Sequence, residues 1–289
     1  MNQTNREENG YIDSLTGIRA IAAFMVYMVH YNPFEKGTFF HSFFSQFYTG
    51  VSVFFVLSGF LITYRYFGKY RMEKKWFFSY IRNRVARIYP VYFLLTTITL
   101  LFALTGELHK PGAYSTRQIL VNNAWIYFTN ITFIRGYFSD LVFSLIPQGW
   151  TLPIEEAFYF SAPFTWLLLR KRMNLVVQAL GLLLIGFLFV LIGRRVHFYG
   201  FFATDVFMLK FTYFGKAAQF FVGMMLALWI LRKPAKTGLL SRINMTYTGL
   251  AAMFLCLLGI TFAWIGDHLY LTIVLDNIVL GFAIALFFG

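Results

Sequence analysis

Long apolar segments recur along the whole chain, and they restrict the fold more than any other feature of the sequence. A helix of about 20 apolar residues crosses the hydrocarbon core of a bilayer. We predict eight such segments, near residues 16–32, 48–66, 88–105, 152–169, 174–193, 211–231, 246–265 and 268–288. Charged residues make up only 13% of the 289 residues, against about a quarter in soluble domains. The sequence therefore predicts an all-α fold, a polytopic integral membrane bundle of eight or nine transmembrane helices.

The ninth segment is residues 119–134, which is apolar but contains Asn122, Asn123 and Asn130. Amide side chains are costly in a lipid-facing helix. A short span, a re-entrant segment and an interfacial helix are all compatible with this pattern, and the sequence does not choose among them.

Basic residues cluster between the apolar segments and predict the orientation. The clusters lie at 65–87, where eight Lys and Arg face a single Glu, at 170–172, and at 232–236 with Arg242. Cytoplasmic loops carry such an excess of Lys and Arg. We therefore expect residues 1–14 to be a short cytoplasmic N-terminal segment, although Arg194 and Arg195 would then face outward. The same placement explains the net charge of +13 without a nucleic-acid partner.

The numbers and positions of cysteine and histidine argue against a disulfide within the chain and against a metal site. Cys256 is the single cysteine, so no disulfide forms within the chain. The five histidines show no close pairing, and we expect no metal site. We expect one membrane-embedded domain over 1–289 with no fused soluble domain. Because the chain ends inside an apolar run, we expect a truncated C-terminus.

The first apolar segment carries two ionisable residues, Arg19 and His30. Eleven helical steps separate them, which places them on one face roughly 16 Å apart along the helix axis. One interpretation is that each side chain reaches a different membrane interface. The other is that both line a polar track, because ionisable groups inside membranes usually face an interior or a cavity.

Two further segments combine polar residues with apolar surroundings. Ser58 and Gly59 are small enough to let a neighbouring helix approach closely. Arg84 and Arg87 are three residues apart and share a helical face. A solvated basic loop would explain the two arginines, but guanidinium pairs also bind phosphates.

The segment 147–163 contains two adjacent acids, Glu155 and Glu156, at the start of an apolar helix. Acids are favoured at a helix N-terminus, which is the simplest explanation for one of them. Tyr159 follows Glu155 by four residues and therefore shares its face. Trp150 precedes the helix.

Together these segments resemble the membrane-bound acyltransferase-3 family, which O-acylates carbohydrates. The resemblance runs from about residue 11 to the end of the chain. The matching residues are Asp13 and Gly17-Ile18-Arg19 followed by His30, FFVLSGFLI at 54–62, Arg84 and Arg87 with IYP, Trp150 with Glu155 and FY at 158–159, and more weakly FFVGMMLA at 220–227. IDSLTGIR stands where the family has LDGLRG. The family core has ten spans, so part of it is expected to be missing here.

The resemblance implies an O-acyltransferase that transfers groups other than amino-acyl groups. It would move an acyl group, with acetyl expected, from acyl-coenzyme A across the membrane to a hydroxyl of a cell-surface or lipid-linked carbohydrate. Arg19, Arg84 and Arg87 would bind the donor phosphates. His30 would be the general base, because imidazole can accept a proton near neutral pH. An acyl-histidine intermediate is the competing chemistry.

The remaining site residues have supporting roles in this hypothesis. Glu155 would support catalysis by orienting His30 or contacting the acceptor. Ser58 is a candidate donor to the oxyanion. Trp150, Glu156 and Tyr159 would contact the sugar. No cofactor is expected to stay bound, since acyl-coenzyme A is a substrate. The expected partners are that donor, the glycan or lipid-linked acceptor and the lipid bilayer, in a bacterial inner membrane; the oligomeric state is not specified.

Two other functions remain open at this stage. A transporter of a small anion or an acylated glycan could use the same polar track, although transporters of this kind usually show internal repeats and none is visible here. An inactive, truncated relative of the family is the third possibility. Acyl transfer that depends on His30 would distinguish the first hypothesis from both.

Overall fold

The computed structural model describes residues 13–71, 73–104, 116–171, 173–232 and 245–288. Residues 1–12 of the expected cytoplasmic segment, Arg172, residues 233–236 and Arg242 lie outside the described residues. Within the described ranges the regular structure is helical, apart from an isolated bridge between Phe138 and Phe201. This confirms the prediction of an all-α fold.

Twelve α-helices are found in the described ranges, and we number them in chain order. They are α1 (Asp13–His30), α2 (Phe39–Ser45), α3 (Gly50–Tyr66), α4 (Lys74–Leu104), α5 (Thr116–Ile131), α6 (Leu152–Arg170), α7 (Leu175–Val196), α8 (Asp205–Phe211), α9 (Tyr213–Leu231), α10 (Met245–Ile265), α11 (Leu269–Val274) and α12 (Leu280–Phe288). A π-helical turn, Leu275–Val279, joins α11 directly to α12. Short 3-10 turns occupy Gln46–Thr49, Phe67–Lys69, Ile134–Tyr137 and Pro147–Thr151.

Six helical segments of the described chain are long and apolar enough to cross a membrane. They are Phe39–Lys69, Lys74–Leu104, Leu175–Val196, Asp205–Leu231, Thr246–Ile265 and Leu269–Phe287. Thr16–His30 is a shorter apolar helix. The chain is therefore a multi-pass membrane protein, whereas the expected count of eight or nine spans is not confirmed.

The described chain forms two compact units. Unit 1 comprises Met1–Lys69 and Ala217–Gly289, and unit 2 comprises Tyr70–Lys216. The prediction of one domain over 1–289 is not tested by this division and stays a prediction.

Close backbone packing between α3 and α9 forms the centre of unit 1. A Cβ atom on Gly59 would collide with the carbonyl oxygen of Phe220, and one on Gly223 would collide with the carbonyl oxygen of Val56. The rings of Phe55 and Phe220 stack at 4.8 Å between centroids, and both are fully buried. The predicted close approach at Gly59 is thus confirmed, and its partner is the FFVGMMLA segment.

In unit 2, α4 differs from the expected basic loop between two spans. It runs unbroken for 31 residues from Lys74, with Pro90 inside it, so Arg84 and Arg87 stand on a helix. A proline removes one backbone hydrogen bond, but a long helix tolerates this loss when the rest of its ladder is intact. The prediction that Arg84 and Arg87 lie one turn apart on a helix is confirmed, and the loop interpretation is wrong for this part of the segment.

The segment 119–134 also belongs to unit 2, where most of it forms α5. Asn123 and Asn130 are buried there, and the side chain of Asn122 lies outside the described residues. The Nδ2 group of Asn130 donates to Ser144 Oγ at 2.8 Å. Buried amides need such partners, so α5 is attached to the loop that follows it.

Candidate active site

Arg84, Tyr159 and Glu155 form a connected set in unit 2. The guanidinium carbon of Arg84 lies 5.9 Å from the ring centroid of Tyr159. The Tyr159 hydroxyl donates a 2.9 Å hydrogen bond to Oε2 of Glu155. Tyr159 is buried, whereas Arg84 and Glu155 are half-buried. A cation, an aromatic ring and a carboxylate are therefore held in fixed order at the edge of a buried region.

The local sequence of α6 explains this geometry. Pro153 stands in the first turn, where its missing N–H costs nothing, and Glu155 lies in the same turn, where a negative charge is favoured. Four residues later in a helix is the next turn on the same face, which places Tyr159 above Glu155. The buried residues Phe158, Ala162 and Trp166 fix the orientation of α6.

The other predicted residues of unit 2 lie near this set to different degrees. Glu156 is half-buried and interacts electrostatically with both Glu155 and Arg84. Arg87 is exposed one turn further along α4. Trp150 is half-buried in the 3-10 turn before α6, and its ring meets Phe211 edge-on at 5.2 Å. The structure thus brings Glu156 to the Arg84–Tyr159–Glu155 set and gives Trp150 a packing partner elsewhere.

Arg135 was missed by the sequence analysis and organises the loop that leads to Trp150. It is fully buried, and its guanidinium donates to the carbonyl oxygens of Ser144 at 2.5 Å and Ile146 at 3.1 Å. The same group lies 5.8 Å from the ring centroid of Tyr92. Burial lowers the pKa of Arg135 from its ordinary value, but an arginine remains charged in proteins. One isolated arginine in an aromatic segment gives no periodic signal that could have predicted this role.

In unit 1, Arg19 and His30 are carried by the single helix α1, as predicted. His30 is its last residue and is exposed, whereas Arg19 is half-buried. Ser58 is half-buried on α3. The prediction that Arg19 and His30 stand on one continuous helix is confirmed. The roles of Arg19, His30 and Ser58 stay predictions.

A second group that the sequence analysis missed is a buried polar cluster in unit 1. Ser52 Oγ donates to Asp276 Oδ1 at 2.7 Å, and Gln219 Nε2 donates to Ser52 Oγ and to the carbonyl oxygen of Asp276, both at 3.0 Å. All three residues are buried. Asp276 stands in the π-helical turn, a geometry that frequently marks functional sites. Only the position of an acid inside an apolar run could have drawn attention to it.

The predicted site residues therefore divide between the two units. Arg19, His30 and Ser58 belong to unit 1. Arg84, Arg87, Trp150, Glu155, Glu156 and Tyr159 belong to unit 2, where the structure connects four of them.

Comparison with known proteins gives relatives in Staphylococcus aureus, Listeria monocytogenes and Bacillus subtilis. The O-acetyltransferase OatA of Staphylococcus aureus is 28% identical over 180 residues, covering 59% of this chain and 27% of that protein. The peptidoglycan O-acetyltransferase OatA of Listeria monocytogenes is 28% identical over 198 residues, covering 63% of this chain and 29% of that protein. A protein of Bacillus subtilis, described as a putative peptidoglycan O-acetyltransferase, is 28% identical over 163 residues, covering 54% of this chain and 24% of that protein.

The matched part of this chain thus spans less than a third of each of these relatives. No solved structure matches the chain. The acyltransferase-3 family, described as an acyltransferase domain, matches residues 12–289. That match covers nearly the whole chain and includes α1, α4 and α6, which carry the residues described above. The chain belongs to the acyltransferase-3 family.

Proposed function

We propose that this protein transfers an acyl group, with acetyl as the expected group, from acyl-coenzyme A to a hydroxyl of a cell-envelope carbohydrate. Family membership supports O-acyl transfer in general. The observation that supports this reading most within the chain is the Arg84–Tyr159–Glu155 set, because it joins residues from two of the segments that carry the family resemblance. The relatives are named O-acetyltransferases, and the names of two of them, one described as putative, specify peptidoglycan, so peptidoglycan or its lipid-linked precursor is the first acceptor to test.

In this proposal His30 is the general base. Its imidazole takes the proton of the acceptor hydroxyl while the hydroxyl oxygen forms an ester bond to the thioester carbonyl carbon. The carbon–sulfur bond then breaks, and coenzyme A leaves as the thiolate and takes up the proton that the His30 imidazolium returns. A transient acyl-histidine, in which the acyl group is bonded to an imidazole nitrogen while coenzyme A leaves, is the alternative route. Ser58 and Trp150 keep their proposed contacts to the oxyanion and to the sugar.

The arginines act on the donor in this proposal. Arg19, Arg84 and Arg87 would neutralise its phosphates, and guanidinium groups suit this task because they bind phosphate oxygens in pairs. Arg84 is the best prepared of the three, since the Tyr159 ring restricts its guanidinium before any donor arrives. Glu155 and Tyr159 then act together as one hydrogen-bonded group that faces either the acceptor or the general base, His30.

The test uses the purified chain in proteoliposomes with acetyl-coenzyme A labelled in the acetyl group. We expect thioester consumption by wild type, a loss of at least a hundredfold in His30→Ala, and a higher donor KM in Arg84→Ala/Arg87→Ala. His41→Ala is the matched control, because His41 is another histidine of unit 1, and alanine keeps the backbone groups through which it bonds to Asn32 and Thr38. Wild type that leaves acetyl-coenzyme A intact, or a fully active His30→Ala, would overturn the proposal.

A further inference from the structure

A groove of about 180 Å³ opens on unit 2 beside the first turns of α4. Its apolar lining includes Trp76, Phe77 and Phe78 from α4 and Phe164 from α6. Phe78 is 68% exposed and Phe164 is 44% exposed. The groove is therefore an open, aromatic depression on the surface and not an enclosed cavity.

Aromatic packing holds the walls of the groove in place. Trp76 stacks on Tyr80 with 5.3 Å between ring centroids and an interplanar angle of 4°. Phe77 meets Phe164 edge-on at 5.9 Å. Because both walls are supported by other rings, the depression exists before any ligand binds, which lowers the entropic cost of binding.

Two basic residues line the groove, and a third contacts one of its lining residues. Arg71 and Lys74 are among its lining residues. Arg170 stands over the Tyr70 ring at 4.9 Å and donates to the Tyr70 carbonyl oxygen at 3.4 Å, and Tyr70 also lines the groove. Burial raises the pKa of the Tyr70 phenol above its ordinary value, so this ring adds no negative charge.

One carboxylate, Glu73, also lines the groove and pairs with Arg71 at 4.0 Å. Both side chains are largely exposed, at 63% and 75%, so this ion pair is weak and easily exchanged. Arg71 and Lys74 against one carboxylate leave the lining with a net positive charge, and Arg71 can turn to another anion at little cost.

We propose that this groove binds an anionic phospholipid, with the phosphate held by Arg71 and Lys74 and one acyl chain lying on Trp76, Phe78 and Phe164. The groove lies at the first turn of α4, ahead of the apolar part of the candidate span Lys74–Leu104, so we place it at the level of the lipid headgroups. Aromatic side chains and basic residues are favoured together at that depth. This inference does not depend on the acyl transfer proposed above.

A zwitterionic lipid fits this site less well than an anionic one. Its apolar chain could make the same aromatic contacts, but its headgroup has no net charge to match the net positive charge of the lining. Acyl-coenzyme A also combines phosphates with an acyl group. We favour the lipid because the apolar wall is exposed on the surface of the protein, at one end of a candidate membrane span, where lipid is always present at high concentration.

The test measures lipid retention by native mass spectrometry of the purified chain. Wild type is titrated with phosphatidylglycerol or phosphatidylcholine carrying identical acyl chains. We expect a several-fold preference for phosphatidylglycerol, a loss of about fivefold in its affinity in Lys74→Gln, and more than tenfold in Arg71→Gln/Lys74→Gln. Phosphatidylcholine binding should be unchanged in all variants.

Lys75→Gln is the matched control, because Lys75 is the exposed neighbour of Lys74 and does not line the groove. Equal loss in Lys75→Gln and Lys74→Gln would mean diffuse attraction to the basic segment and would overturn the proposal. Equal retention of the two lipids by wild type would do the same. A third arm adds palmitoyl-coenzyme A: displacement of phosphatidylglycerol that requires Lys74 would assign the groove to the donor instead of the lipid.

Discussion

The hydroxyl of Tyr159 donates a 2.9 Å hydrogen bond to Oε2 of Glu155, one turn earlier on α6. The same ring lies under the Arg84 guanidinium, so one side chain contacts both an anion and a cation. The two contacts use different parts of the tyrosine, and they can be separated experimentally.

Tyr159→Phe removes the hydroxyl but keeps the ring beneath Arg84. A hydrogen bond to a charged group contributes about 1.5–3 kcal/mol, so acyl transfer should fall by roughly tenfold to a hundredfold if Glu155 needs this partner. The measurement is kcat/KM with labelled acetyl-coenzyme A. Tyr127→Phe is the control, because it removes a hydroxyl bonded to Thr97 at 2.9 Å and not to a carboxylate. Equal activity of Tyr159→Phe and wild type would refute a role for this bond.

Gly59→Ala should destabilise unit 1. The added methyl group collides with the backbone carbonyl of Phe220, and overpacking of this kind costs about 1–3 kcal/mol. Gly181→Ala is the control, since a Cβ atom there meets nothing within 4 Å. Alanine is the better helix former, so the control should be neutral or slightly stabilising. Thermal unfolding in detergent measures both, and equal Tm values would contradict the packing argument.

Arg135→Met should disrupt the loop between α5 and α6. It removes two charge-assisted hydrogen bonds to the part-buried carbonyl groups of Ser144 and Ile146, each worth about 1.5–3 kcal/mol, although both carbonyl groups keep a backbone N–H donor. We expect faster proteolysis within residues 132–151 and reduced activity. Arg194→Met is the comparison, because Arg194 forms a partly exposed ion pair with Asp205 at 3.8 Å, which contributes little. A proteolysis pattern for Arg135→Met that matches that of Arg194→Met would argue against this role.

Ser52 and Asp276 should be energetically coupled, because Ser52 donates directly to the Asp276 carboxylate. A double-mutant cycle of Ser52→Ala and Asp276→Asn should give a coupling energy of about 0.5–3 kcal/mol in unfolding. Thr99→Ala combined with Asp276→Asn serves as the reference cycle, since the Thr99 hydroxyl bonds to a carbonyl of its own helix. Additive effects in the first cycle would contradict the coupling.

The contacts that could be predicted from the sequence are mostly local. The i to i+4 spacing of Glu155 and Tyr159 predicted a shared face, and the structure joins them by a hydrogen bond. Apolar periodicity and length located most of the helices, because burial in lipid requires backbone hydrogen bonds to close within each segment. The small residue Gly59 likewise predicted a close helix contact.

The remaining contacts depend on partners that are distant in sequence. Ser52 and Asp276 are 224 residues apart, and no periodic pattern relates them. The continuity of α4 through Pro90 was missed because its basic first half looks like a loop when charge alone is considered. The role of Arg135 depends on two carbonyl groups that only the folded loop places within reach.

The π-helical turn at Leu275–Val279 also sets the phase of the last helix. A π-turn closes its hydrogen bonds over one residue more than an α-turn. Residues after it are consequently rotated by about 100° from where an uninterrupted α-helix would put them. The buried faces of α11 and α12 therefore do not follow one continuous α-helical periodicity. Deletion of a single residue within the turn would make the helix more regular and yet move the face that carries Leu280 and Ile284 out of the core of unit 1.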